Sequence, residues 1–455
     1  MLSETTQGAR PARGDELELQ IDSLAFGGAG VARRDGYVVF VRDAVPGDRV
    51  RAIVSKSKRD YAEARTVEVI EPSPERIAAR AEHPGAPWQV LPYERQLEIK
   101  QAQVDDALRR LGKLTGYAID PIVGGEQTWR YRNKLEYSFG ADVSGLLVCG
   151  FHVPGRWDEI VGVRDCLLAS EAGNAAREEI VAWCRSSGLS AYDRRSGEGI
   201  LRNLVVREGR RTGQLQVRLI TSPTELDRGA LIRASSADAV LWTQVDSPAE
   251  VTQGGITELL RGSDRLEEEL GGMRFRISPE AFFQTNTEMA ERLYGIAIEL
   301  AELHGSERVY DLYCGIGTIA LLVAPRAAGV WGLELVPEAI ADAIANARVN
   351  EIENARFFAG DVRLALRELL GTAGRPDVVI VDPPRAGLSQ KIVRRLIETS
   401  ARRIVYVSCN PTTLAPNAAQ LVAAGYKLTR VRPVDMFPQT PHIECVALLE
   451  RGAGE

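Results

Sequence analysis

The chain has 455 residues, 45% hydrophobic and 26% charged, with 56 Lys and Arg against 62 Asp and Glu for a net charge of -6. That length predicts two to four domains, since single cores rarely grow far past about 250 residues, and the composition excludes a disordered, collagenous or small disulfide-built chain. The mild acidity argues against non-specific clinging to nucleic acid, which draws on phosphate neutralisation by Lys and Arg, so any such partner needs local basic patches.

The opening stretch MLSETTQGARPARGD lacks the apolar core of a signal peptide. No long uncharged apolar run follows, and a cytoplasmic location is expected. Cys149, Cys166, Cys184, Cys314, Cys409 and Cys445 are scattered without a CxxC, the pattern of free thiols in a reducing compartment. Residues 14–75 read as short alternating runs cut by Gly and Pro-Gly-Asp turns, which suggests a five-stranded barrel. Its third and fourth runs carry Arg49, Arg51, Lys56, Lys58, Arg59 and Arg65 against Asp60 and Glu63. That stripe is a solvated barrel edge or a phosphate track.

After a Pro-rich joint, residues 93–113 place apolar side chains at helical spacing. Residues 126–272 turn strand-rich again, and an antiparallel central domain is expected. Within it, Trp129, Arg130, Tyr131, Arg132, Asn133 and Lys134 interleave aromatics with cations, a mix that suits base stacking with phosphate gripping or simply a half-exposed strand. From about 273 the period changes: strand and helix patterns alternate, with strands expected at 308–313, 329–334, 355–360, 377–382, 402–408, 428–434 and 443–449. This is the signature of a mostly parallel sheet, whose ligand lies beyond the carboxyl ends of its strands.

Four of those ends carry acids. The first runs into Asp311-Leu312-Tyr313-Cys314-Gly315-Ile316-Gly317-Thr318, a glycine turn opening a helix; Ala320 stands where a third glycine would complete a dinucleotide fingerprint. Glu334 follows Asp311 by 23 residues, the spacing at which an acid holds ribose hydroxyls. Asp361 and Asp382-Pro383-Pro384-Arg385 end the next two. Any one such Asp is usually a helix cap; four in series favour a bound adenosine moiety, S-adenosylmethionine ahead of NAD. The fifth strand runs into Cys409-Asn410-Pro411, which puts a thiol in the same crevice, and the later segment with His442 and Glu444 returns a carboxylate to that edge. A nucleophilic Cys, a carboxylic base and an electrophilic methyl donor suit methylation of pyrimidine carbon 5: thiolate addition to carbon 6 makes carbon 5 nucleophilic, and a base then removes its proton.

The run SPEAFFQTN (278–286), DLYCGIGTIAL (311–321), DPPRAGL (382–388), VSCNPTTLA (407–415) and DMFPQTPHIE (435–444) closely resembles the RNA uracil-5-methyltransferase family. The resemblance covers nearly the whole chain. It implies an α/β fold with a class I, Rossmann-like methyltransferase domain at 273–455, a TRAM domain at 1–75 as an OB-like RNA-binding barrel, and a central β-rich domain at 76–272, with helix 93–113 packed on the methyltransferase domain. It implies Cys409 as nucleophile, Glu444 as base, Asp382 against the target base and the donor edge, and Gln284, Tyr313, Thr318, Glu334 and Asp361 lining the S-adenosylmethionine pocket. The expected substrate is RNA, 23S rRNA ahead of tRNA on domain content, and the expected state a monomer. One departure stands out: where many members carry a CxxC-containing segment for a four-iron cluster, this chain reads Ala81-Glu82-His83-Pro84-Gly85-Ala86-Pro87-Trp88-Gln89, leaving only Cys166, so a cluster-free member is expected. A dehydrogenase with a reactive Cys and a non-catalytic RNA-binding protein are the rival readings.

Overall fold

The computed structural model describes residues 10–156, 158–247, 249 and 251–452; the first nine residues of the segment expected as a barrel and the last three of the C-terminal segment lie outside the described residues. Alternation sets the first domain: Leu17 and Leu19 of Glu16–Gln20 point inward and their neighbours outward. Together with Ser23–Leu24, Gly30–Arg34, Tyr37–Arg42, Arg49–Ser57 and Tyr61–Glu71 this strand forms one six-stranded sheet around Val39, Val41, Val50, Ala52 and Val54. Five strands are expected and six are found, the extra one being the two-residue Ser23–Leu24 beside Gly30–Arg34. In the basic stripe, Arg49 meets Glu71 at 2.8 Å and Glu18 at 3.1 Å, Arg51 meets Glu68 at 2.8 Å, and Lys56 meets Glu63 at 2.9 Å. For these three cations the solvated-edge reading describes what is there.

The central sheet has seven strands, in the order Ile160–Gly162, Leu147–His152, Lys134–Ala141, Leu201–Glu208, Leu215–Thr221, Ala239–Gln244 and Ile256–Arg261. It is not the wholly antiparallel sheet that the sequence leads one to expect: Leu215–Thr221 and Ala239–Gln244 run parallel, because the helix Arg228–Ala234 carries the chain back across the sheet between them. A longer helix, Glu171–Ser186, was also not expected. It starts at Ser170, whose hydroxyl accepts from the Gly173 amide, and buries Ala176, Ile180 and Cys184, spaced four apart, against the sheet.

The C-terminal domain has seven strands, labelled β1 to β7: Arg308–Leu312, Gly329–Glu334, Ala355–Ala359, Val378–Val381, Arg403–Ser408, Tyr426–Val434 and Glu444–Arg451. Their order is β3-β2-β1-β4-β5-β7-β6, with β1 to β5 parallel and β7 antiparallel to both neighbours; the short strand Ala118–Ile119 extends the β6 edge. The direction of strand addition reverses between β1 and β4, so a crevice opens beyond their carboxyl ends. The hairpin Leu266–Leu270 and Met273–Ile277, closed by Gly271 and Gly272 at φ 59° and 79°, packs Leu270, Phe275 and Ile277 into the same core. The cut expected at 272/273 thus falls inside its turn. The helix Tyr93–Asp106, prolonged by a wider turn at Ala107–Leu111, lies against the helix Pro411–Ala423 and β6. Among the described residues no helix is long and apolar enough to cross a membrane.

Candidate active site

Cys409 follows the last residue of β5. Its five fellow cysteines are buried, while it is partly exposed. The antiparallel register that pairs Ser408 with Cys445 brings the ends of β5 and β7 together, and with them Cys409 and the buried Glu444. Asp382, just past β4, joins from the other side. Asn410 fixes this meeting point: its side-chain oxygen caps the helix Pro411–Ala423 by accepting from the Thr412 amide at 3.0 Å, and its amide nitrogen donates to the Arg385 carbonyl at 3.0 Å. The turn after Cys409 is thereby tied to the Asp382-Pro383-Pro384-Arg385 turn.

Burial governs the electrostatics. Desolvation pushes Asp382 up to about 7 and Asp311, on β1, up to about 8, the latter helped by the nearby Asp382. Glu444 rises well above the usual carboxylate range for the same two reasons, with Arg385 opposing. The Cys409 thiol, desolvated and facing Glu444 and Asp382, is pushed up to about 11, again against Arg385. A crevice this acidic suits a cation: among the described residues the buried Asp311 carboxylate has no side-chain partner, and only the Ala320 amide leans toward it.

Around the β1–β2 end stand the residues expected to line a nucleoside pocket. Gly317 has φ 83°, and a side chain there would meet Ala343 and the Phe357 ring at 3.1 Å, so glycine is required on both counts. Thr318 opens the short helix behind it, and Tyr313 sits at φ 67° with its amide on the Leu333 carbonyl at 2.8 Å. Glu334 accepts from the amides of Gly315, Leu335 and Val336, which aims the acid into the turn. Asp361 plays the bland part weighed for any lone strand-end acid: it caps Val362–Ala373 and binds the Arg363 side chain, which holds its carboxyl below the usual range. Gln284 is buried beside Tyr294, whose hydroxyl lies among Asp382, Glu444 and Asp311.

Sequence reasoning missed Tyr294 and gave Asp311 no role beyond that of one strand-end acid. It also missed how the loop before β7 is held. Lys100, on the helix Tyr93–Asp106, bonds Asp435 at 2.6 Å and the Phe437 carbonyl at 3.2 Å; both charges are fully buried, and Tyr93 adds a bond to Asp435 at 2.9 Å. Gln96 exchanges hydrogen bonds with Gln439, which sits at φ 67°. His442, packed edge-on to Phe437, is driven down to about 4 by burial and the Arg385 charge, so it is a neutral wall of the site. The aromatic-basic segment serves mainly as an anchor. Tyr131 donates to the Pro438 carbonyl at 3.0 Å, and Asn133 to the Gln284 carbonyl at 2.9 Å and to Thr287 at 2.8 Å. Arg132 lies over the Phe437 ring.

The family model described as tRNA (Uracil-5-)-methyltransferase matches residues 256–452, and the TRAM domain model matches 11–67. An uncharacterized RNA methyltransferase of Bacteroides thetaiotaomicron is 41% identical, over 94% of this chain and 100% of its own, and one of Halalkalibacterium halodurans is 38% identical, over 98% and 99%. The chain belongs to the RNA uracil-5-methyltransferase family. Among solved structures, the tRNA (uracil-54, C5)-methyltransferase of Pyrococcus abyssi, in complex with S-adenosyl-L-homocysteine, has 28% identity and a TM-score of 0.78, over 95% of this chain and 99% of its own.

Residues 81–89, where the sequence lacks the CxxC-containing segment, pack near Cys166. Cys166 faces His83, Sγ to Nε2 at 3.2 Å, and both are buried beside Phe151. Burial drives the imidazole down to about 4. One thiol and one neutral imidazole do not make the donor set of a four-iron cluster. Among the described residues no group of three or more His, Cys, Asp or Glu is placed to hold a metal ion.

Proposed function

We propose that this protein transfers a methyl group from S-adenosylmethionine to carbon 5 of a uridine in RNA, with Cys409 as nucleophile, Glu444 as base, and Asp382 holding the target base. The observation that carries this is the convergence of the partly exposed Cys409 with the buried Glu444 and the half-buried Asp382 at three adjacent strand ends. S-adenosylmethionine supplies an electrophilic methyl group and a positive charge. Asp311, Gln284, Tyr313, Thr318 and Glu334 are the residues that would hold it, and the Asp311 carboxylate, without a side-chain partner, fits a cationic group.

In the free protein the thiol is protonated. Positive charge in the crevice favours the ionised forms of Asp311, Asp382 and Glu444. Cys409, which is partly exposed, gives up its proton to solvent and adds to carbon 6, so that density builds at carbon 5. After methylation Glu444, as carboxylate, takes the carbon-5 proton, and the thiolate leaves. The uracil must swing out of any stack, because carbon 6 of a stacked base is closed to a thiolate. One chain carries every residue named, and we take the active form as a cytoplasmic monomer.

For the RNA, 23S rRNA is the reading from domain content. Transfer RNA is the second reading, favoured by the Pyrococcus neighbour, which matches 95% of this chain and therefore most of the barrel as well. Labelled methyl transfer to unmodified transcripts of both, with the nucleoside identified, tests it. Label in 5-methyluridine of one transcript is the expected result; label in another nucleoside overturns the reaction.

A further inference from the structure

The barrel is docked at the rim of the active site by its Ala25–Ala29 turn. Phe26 at the tip is half-buried against the core of the C-terminal domain, and its ring lies under the Arg385 guanidinium, 5.9 Å from ring centre to carbon. Gly28 has φ 93°, and a side chain there would come within 2.9 Å of Pro441, the residue before His442. Gln103 donates to the Leu24 carbonyl at 3.0 Å, which ties the turn to the helix Tyr93–Asp106. Gly30 pairs with Val41, so Arg42 leaves the barrel at this same end, and it too reaches out: a Cβ on Gly155 of the central domain would lie 2.9 Å from its guanidinium.

Arg385 itself is exposed. Its backbone carbonyl is held by Asn410, the residue after the nucleophile, and among the described residues no carboxylate pairs with its side chain. Its charge reaches Cys409, Glu444 and His442, each of whose pKa values it lowers. An exposed, unpaired guanidinium beside a nucleophile that attacks a base is placed where a nucleotide's phosphate arrives, and a planar, delocalised cation stacked on a ring keeps its donors free for it.

We propose that the barrel forms a third wall of the active site, its Phe26 ring holding Arg385 as the anchor for the phosphate that flanks the extruded uridine. This rests on the reading of the site as an RNA methyltransferase's. Phe26 acts here as a positioning residue, since it works through Arg385. The barrel then does more than tether RNA: it sets where the backbone stops, and so where the base enters.

The test uses the full-length protein. Binding of a fluorescent oligouridylate of about 12 nucleotides is followed against salt, and methyl transfer to the responsive transcript is followed in parallel, for wild type, Arg385→Gln, Phe26→Leu and Phe26→Trp. Arg385→Gln is expected to weaken RNA binding about tenfold and to reduce the slope of log affinity against log salt by about 0.7, one single-strand phosphate contact. Phe26→Leu keeps the apolar packing and removes the ring; it should shift the slope the same way, and Phe26→Trp should restore it. Affinity for S-adenosylmethionine should stay within about twofold in all three. The proposal falls if Arg385→Gln leaves the salt slope unchanged, or if Phe26→Leu binds RNA as wild type does. If wild type methylates no uridine yet the slopes change as described, the methylation reading fails and the phosphate anchor stands.

Discussion

In the proposed reaction Cys409 and Glu444 have separable duties, and substitution should divide them. Cys409→Ala removes the attack on carbon 6 and should lower turnover by at least about 10⁴-fold while S-adenosylmethionine still binds. Glu444→Gln leaves addition and methyl transfer possible but blocks proton removal. Turnover should drop by about 10²–10⁴-fold while a denaturant-resistant protein–RNA adduct accumulates, visible on a gel; a slow variant without adduct would contradict the assignment. Asp311 gives a prediction in the free protein. Its folded pKa of about 8 lies above the unfolded value of 3.8, so folding favours the protonated form. The stability this lends is fully present below about pH 4 and is lost as pH rises through about 8. Asp311→Asn should therefore raise the melting temperature markedly at pH 8.5 and little at pH 4, while weakening S-adenosylmethionine binding; equal shifts at both pH values would contradict the burial argument. By the same linkage, S-adenosylmethionine binding should release protons near pH 7, measurable by calorimetry in buffers of different ionisation enthalpy.

At the scale of elements, the helix Tyr93–Asp106 is a strut for the loop that carries His442 and delivers Glu444. Its central tie is the fully buried Lys100–Asp435 pair. Breaking such a pair leaves one charge uncompensated, so Lys100→Met should cost about 3–5 kcal/mol in denaturant unfolding. Adding Asp435→Asn should cost less than the sum of the two single changes, since the second removes the orphaned charge; simple additivity would show that the two do not act as a pair. The helix was legible in the sequence from its apolar spacing. Its partner was not, because Asp435 is 335 positions away and nothing local marks it. The strands β1 to β7 were legible for the opposite reason: strands buried on both faces are near-continuous apolar runs, and each fell within a residue or two of its expected span. The helix Glu171–Ser186 was lost inside a strand-rich region although its cap and four-residue spacing were there to read.

Across the whole molecule, three domains contribute to one crevice: the C-terminal strands carry Cys409, Glu444 and Asp382, the central domain holds the Gln284 loop through Asn133, and the barrel reaches Arg385 through Phe26. This convergence could not be read from sequence, where the parts lie hundreds of residues apart; the motif residues themselves could. Of those, Asp361 turned out to be engaged as a helix cap, and half of the barrel's basic stripe is spent on neighbouring carboxylates. The His83–Cys166 contact predicts that protein purified without oxygen contains no stoichiometric iron or sulfide and loses no activity to an iron chelator. Four irons per chain would contradict the donor set described here.

The central claim is that Cys409 adds covalently to uracil, and it is tested most directly with 5-fluorouridine-substituted RNA. Fluorine at carbon 5 cannot leave as a proton, so the adduct should persist. The account predicts a complex that forms only with S-adenosylmethionine present, survives denaturant, and yields on digestion and mass spectrometry a nucleotide on the peptide containing Cys409, absent in Cys409→Ala. An adduct on Cys314 or another residue, or no adduct with an RNA whose unfluorinated form is methylated, would contradict it.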